Sequence, residues 1–151
     1  MPTPPPYPPQ GFRRKFVNAF SNANVTVYRL TRGRVGGKVG GAPVLLLDHV
    51  GRKTGRRRTT PLIYMEDGAD LVIVAARAGA DTTPTWWLNL KANPATTVLI
   101  GSQHRKVVAR QATGEEKQRL WPRLVESYGD YAVYQKRTER DIPVIILGPA
   151  Q

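Results

Sequence analysis

The sequence predicts a mainly β domain: an antiparallel sheet of about six strands, curled or closed into a barrel, with an N-terminal helix and two or three further helices. Short runs of apolar and β-branched residues recur at positions 44–49, 59–66, 71–76, 96–100, 106–111 and 142–147. Turn signals such as Asp67-Gly68 and Gly101-Ser102 separate several of them. The intervals between the first three runs are too short for crossover helices, so neighbouring strands run antiparallel.

The elements follow in order. The opening Met1-Pro-Thr-Pro-Pro-Pro-Tyr-Pro-Pro9 lacks backbone donors and has fixed backbone angles, so residues 1–11 are expected to be a disordered proline-rich tail and residues 12–151 a single domain. Phe12, Phe16, Val17, Phe20 and Val27 recur mostly at intervals of three and four, with Arg13, Arg14 and Lys15 between them. That pattern is an amphipathic basic helix, suited first to packing on its own domain and second to docking on an anionic membrane surface. Gly33-Arg-Val-Gly-Gly-Lys-Val-Gly-Gly41 is not a phosphate loop, because Val39 stands where Ser or Thr would hold a metal and no helix pattern follows. It reads as a flexible connector.

A helix is expected from Thr83-Pro84, with Thr83 as cap and Pro84 in the first turn, until Asn93-Pro94. Another opens with the capping box Thr113-Gly-Glu-Glu116 and carries Leu120, Trp121, Leu124 and Val125 on one side. Tyr128, Tyr131 and Tyr134 follow at intervals of three and share a face if the stretch is helical.

Composition narrows the chemistry. Lys and Arg number 23 against 11 Asp and Glu, a formal net charge of +12 that favours anionic partners. There is no cysteine, hence no disulfide or thiolate chemistry. No apolar stretch reaches the roughly 18 to 20 residues that span a bilayer, and no signal peptide is visible, so a cytoplasmic protein is expected. His49 and His104 are the only histidines, without metal-ligand spacing, and the carboxylates are scattered. No metal site and no catalytic side-chain constellation is therefore expected; an enzyme of this composition would rely on a bound cofactor.

The most basic stretch is Gly51-Arg-Lys-Thr-Gly-Arg-Arg-Arg58. Two glycines allow close approach and positive backbone angles, so successive N–H groups and cations can face an anion. Read alone, it suits a solvated hairpin, a nucleic-acid patch or a cradle for a small anionic ligand. The aromatics lie elsewhere, at Trp86-Trp87 and in the tyrosine series, which argues against a base-stacking platform.

Several motifs in order resemble the deazaflavin (coenzyme F420)-dependent nitroreductase family of actinobacteria. They are Gly51-Arg-Lys-Thr-Gly55, Thr60-Pro61-Leu62, Val72-Ile-Val-Ala-Ala76, Pro84-Thr-Trp-Trp-Leu-Asn-Leu-Lys-Ala-Asn-Pro94, Trp121-Pro122, the three tyrosines and Ile142-Pro143. The resemblance implies an FMN-binding-like split β-barrel. It also implies an F420H2-dependent reductase of quinone reductase or nitroreductase type, passing a hydride to a quinone, an activated alkene or a nitroaromatic. Arg52, Lys53, Thr54, Gly55, Arg56 and Arg57 would hold the cofactor's phosphate and glutamate tail. Leu46, Leu47, Asp48, Ala75, Ala76 and Arg77 would line its ring, and Thr85, Trp86, Trp87, Leu88 and Asn89 would close the other side, with Trp86 as the wall. Tyr128, Tyr131 and Tyr134 would face the acceptor.

Two departures bear on this. Ala76 stands where the family's best-known members carry a serine, which counts against nitro-group reduction, and Ile63 replaces a common aromatic. Peripheral membrane contact through the N-terminal helix and a homodimer are compatible with the resemblance, and no nucleic-acid partner is expected. The competing classes are a cationic module for nucleic acid or anionic membrane, and a split-barrel protein that binds FMN or haem.

Overall fold

A computed structural model describes residues 24–150; the proline-rich tail and nearly all of the expected amphipathic helix lie outside the described residues. The apolar run after Gly41 becomes the central strand β2 (Ala42–Val50), and its period-two alternation feeds two cores. Leu45 and Leu47 enter the main cluster, while Val44 and Leu46 pack with Val25 and Tyr28 of helix α1, residues 24–31. The Tyr28 hydroxyl donates to the Val44 carbonyl at 3.0 Å and accepts from the Gly101 N–H at 2.9 Å, pinning α1 to the sheet.

The remaining strands are β1 (Lys38–Val39), β3 (Arg57–Ile63), β4 (Met65–Asp67), β5 (Asp70–Val74), β6 (Ala95–Ile100), β7 (Gln103–Gln111) and β8 (Val144–Pro149). Their order is β1-β2-β6-β7-β8-β5-β4 with β3 on β2, and every pairing is antiparallel. The expected strand over residues 59–66 is broken at Tyr64, whose N–H turns to the Pro43 carbonyl at 3.1 Å. Its first half pairs with β2 and its second with β5, so the sheet returns on itself as a split antiparallel barrel. This break supplies one of the two strands beyond the six expected. The other, β1, lies in the glycine-rich segment read as a flexible connector, and it pairs with the start of β2.

Helix α2 (Thr85–Ala92) lays Trp86, Trp87 and Leu90 on Leu45, Leu47, Leu71, Ile73 and Val98. Thr83 does not cap it: Pro84 holds the cap position and no side chain bonds there. Helix α3 (Gly114–Ser127) has the expected capping box, with Thr113 Oγ1 accepting from the Glu116 N–H at 3.2 Å and Glu116 Oε1 accepting from the Thr113 N–H at 3.0 Å. Its buried Leu120 and Leu124 cover Val72, Val74 and Ile146 on the opposite face of the sheet. The tyrosine series is not one helix. Tyr128 ends α3, and Tyr131 and Tyr134 belong to α4 (Asp130–Arg137). The rings still converge, with centroids 5.0, 6.3 and 6.4 Å apart. No described helix is long and apolar enough to cross a membrane.

Candidate functional site

Residues 51–56 join β2 to β3 in a tight basic turn. The Gly51 N–H donates to the Arg56 carbonyl and the Gly55 N–H donates to the Gly51 carbonyl, both at 2.8 Å. A Cβ on Gly51 would lie 2.5 Å from Thr54 Oγ1, and Gly55 sits at φ 70°, so both positions need glycine. Thr54 Oγ1 accepts from the Arg56 N–H at 3.3 Å, and Asn89 Oδ1 accepts from the Arg52 N–H at 3.1 Å. The N–H groups of Lys53 and Thr54, at the tip, have no partner among the described residues. Arg52, Lys53, Arg56, Arg57 and Arg58 are exposed, and among the described residues none has a carboxylate within ion-pair reach. Clustered cations and two free consecutive donors are an arrangement chemically suited to an anion.

Polar groups underpin this turn. Asp48 accepts from Thr59 Oγ1 at 2.7 Å, and its carbonyl accepts from the Thr96 hydroxyl. His49, 5% exposed, stands between Thr60 Oγ1, 2.9 Å from Nε2, and Asn89 Nδ2, 3.0 Å from Nδ1. Burial, and then the charge of Arg58, hold its pKa below the ordinary 6.5.

The second feature is a cavity of about 290 Å³ at the other end of the β2–β3 hairpin. Val44, Pro61, Leu62 and Ile63 form one wall, and Val74, Ala76 and Arg77 another. Tyr128, Tyr131 and Tyr134 cover it, and Asn24, Tyr28, Gly36 and Val39 complete the rim. The hydroxyls of Tyr128 and Tyr134 are 3.3 Å apart. Burial keeps the phenols of Tyr128 and Tyr131 well above the ordinary value, so both stay protonated as donors.

The wall after β5 is a strained turn. Arg77 has φ 46°, unusual for a residue with a side chain, and donates from Nη1 to Thr82 Oγ1 at 2.6 Å. Arg140 holds this turn from behind, donating to the carbonyls of Ala75 at 3.1 Å, Ala76 at 2.9 Å and Ala80 at 2.9 Å. A Cβ on Gly79 would come within 2.7 Å of the Tyr134 carbonyl, so α4 rests directly on the turn.

The structure thus sorts the expected residues into three groups. Ala76, Arg77, Tyr128, Tyr131 and Tyr134 meet around the cavity, as do both departures, Ala76 and Ile63. Asp48, Asn89 and the stretch Arg52 to Arg57 meet at the basic turn. Leu46, Leu47, Ala75, Trp86 and Trp87 are buried at 7% exposure or less; Leu46 and Leu47 pair with β3 on one side and β6 on the other. Trp86, expected as a cofactor wall, packs in the main core, edge-on to Trp87. Thr85 is exposed and Leu88 half-buried on α2. Arg140 drew no notice in sequence, Thr60 entered only within the Thr60-Pro61-Leu62 motif, and His49 only as one of two histidines without metal-ligand spacing. The signal for His49 was a lone histidine that, with Asp48, interrupts the end of an otherwise apolar strand.

Comparison with known proteins adds an independent finding. The family model of the F420H(2)-dependent quinone reductases matches residues 20–149. An F420H(2)-dependent quinone reductase of Mycobacterium tuberculosis is 42% identical over 125 residues, which are 80% of this chain and 84% of the relative. A solved F420-H2 dependent reductase is 38% identical with a TM-score of 0.64, covering 70% of this chain and 93% of its own. A further solved chain, described as a domain-swapped dimer, is 34% identical with a TM-score of 0.66, covering 89% and 98%.

Proposed function

This chain belongs to the F420H(2)-dependent quinone reductase family, and we propose on that footing that it reduces a quinone-type acceptor in the tyrosine-covered cavity while the basic turn grips the anionic end of coenzyme F420. The supporting observation is a two-ended site along one strand. From Ile63 at the cavity to Arg57 at the turn is six residue steps along β3, about 20 Å at ~3.3 Å per residue. An apolar chamber at one end and unneutralised cations with free N–H donors at the other suit a molecule with a flat ring and a long anionic tail.

When bound, the reduced deazaflavin supplies the hydride. This chain's residues have three tasks. Arg52, Lys53, Arg56 and Arg57 offer charge-assisted hydrogen bonds to phosphate and carboxylates. Leu62, Ile63, Val74 and Ala76 exclude water from the reacting faces. The hydroxyls of Tyr128 and Tyr134 donate to the oxygen on which the acceptor gathers negative charge, and hold a proton there. Hydride transfer depends on close, oriented approach, which accounts for the scarcity of ionisable catalytic groups.

Ala76 offers no hydroxyl to a nitro group, so quinones are the favoured acceptors over nitroaromatics. Membrane contact is a finer part of this proposal. Leu30 is 80% exposed on α1 and Val27 39%, beside Arg29, Arg32 and Arg34, which suits the cytoplasmic face of an anionic membrane where lipid-borne quinones reside. Homodimerisation is supported only by the solved relative described as domain-swapped.

The test is a fluorescence titration of the full chain with F420, FMN and duplex DNA, followed by quinone turnover with F420H2. Micromolar binding of F420 with weak binding of FMN and DNA is expected. Binding of DNA or FMN without F420 would overturn the reading.

A further inference from the structure

The polar chain behind the basic turn has a fixed direction. The Arg52 N–H can only donate, so the atom of Asn89 facing it is the oxygen, which Arg52 Nη1 also approaches at 3.5 Å. The amide nitrogen of Asn89 therefore faces His49 Nδ1 at 3.0 Å, and that nitrogen must accept. A neutral imidazole then carries its proton on Nε2, which donates to Thr60 Oγ1 at 2.9 Å. Each link determines the next, from β3 through β2 and α2 to the turn.

We propose that Asn89 and His49 are positioning residues for the cofactor's anionic tail: they fix the backbone at Arg52 and so leave the free N–H groups of Lys53 and Thr54 facing one anion. Asn89 is 2% exposed and both ends of its amide are occupied, so it acts through the turn and does not touch a ligand. His49 acts through Asn89. The turn's own hydrogen bonds close the ring from Gly51 to Arg56, and Asn89 Oδ1 is the side-chain acceptor that ties this ring to the rest of the fold. Without it the ring can pivot about its glycines, and the two donors lose their aim. The groups around His49 agree with a neutral, accepting ring: Asp48 on β2 is occupied by Thr59, Arg58 on β3 opposes protonation, Arg52 lies beyond Asn89, and Lys91 of α2 is turned onto the Trp87 ring.

This inference rests on the reading of the turn as the tail site, and one experiment separates the two. The Kd values of F420 and of its ring fragment, the 8-hydroxy-5-deazaflavin with its ribityl chain but no phosphate or glutamates, are measured for the wild type and for Asn89→Leu. F420 affinity is expected to fall about tenfold or more, the effect of losing a buried hydrogen-bond partner, while fragment affinity stays within about twofold. Retained fragment binding also shows that the variant is folded. If Asn89→Leu does not fold, His49→Phe, which removes the acceptor for Asn89, is expected to give the same selective loss, and His49→Gln, which keeps an acceptor, is expected to restore most of it. Equal loss for both ligands, or no loss for either, overturns the inference while leaving the tail site in place. Failure of the wild type to distinguish F420 from the fragment overturns the reading of the turn, and the inference with it.

Discussion

At Ala76 the missing atom is as informative as any present. The residue is 4% exposed and lines the same cavity as the three tyrosines, so one added hydroxyl would put another donor beside their phenols. Ala76→Ser is expected to raise turnover of a nitroaromatic several-fold, as one more transition-state hydrogen bond can, and to change quinone turnover little; steady-state rates with both acceptors test it. His49 carries a pH signature. Its folded pKa lies below the ordinary 6.5, so the folded state favours the neutral ring. The stability this confers is present above about pH 6.5 and is lost as pH falls toward the folded value. Wild-type melting temperature should therefore decline below about pH 6.5 more steeply than that of His49→Gln. Asp67 and Glu116, whose carboxyls arginine pairing holds down to about 2, lose their contribution only as pH falls below their unfolded values of about 4, outside this window.

Among the elements, the helices differ in how much of their placement is local. The start of α3 is legible in four residues: Thr113 and Glu116 satisfy each other's backbone N–H groups, and Glu116 also pairs with Arg110 at 2.7 Å. Thr113→Ala is expected to cost about 1 kcal/mol, visible as a lower denaturation midpoint with an unchanged slope. The break at Tyr128 was not legible, because three tyrosines at equal spacing satisfy one helix and two helices alike. What ends α3 there is the Tyr128 backbone leaving the helical region at φ −151°, with its N–H still held by the Leu124 carbonyl at 2.9 Å. Strand β2 was clear from its unbroken apolar run. The two-residue β1 was not, since its residues are exposed and its pairing is set by the hairpin with β2.

For the whole molecule, the net charge of +12 is a field as well as a set of contacts. Screening at about 0.5 M salt, where the Debye length shrinks to roughly 4 Å, is expected to weaken F420 binding markedly while affecting the ring fragment, which lacks the phosphate and carboxylates, far less. Titrations at low and high salt check this, and equal salt sensitivity would place the charge effect away from the tail. Periodicity, capping and the bunching of cations around two glycines are local properties, so the six apolar strand runs, the bodies of α2 and α3 and the basic turn followed from the sequence alone. The meeting of Asn89 with His49 and Arg52, 40 and 37 positions away, did not. Nor did the gathering of Ile63, Ala76 and the tyrosines around one cavity, or the burial of Trp86. These contacts depend on strand register and on the closure made when the Arg57–Asp67 run pairs with β2 and then β5. Register and closure are settled by which faces can be buried together, a condition that exists only once the whole sheet has formed.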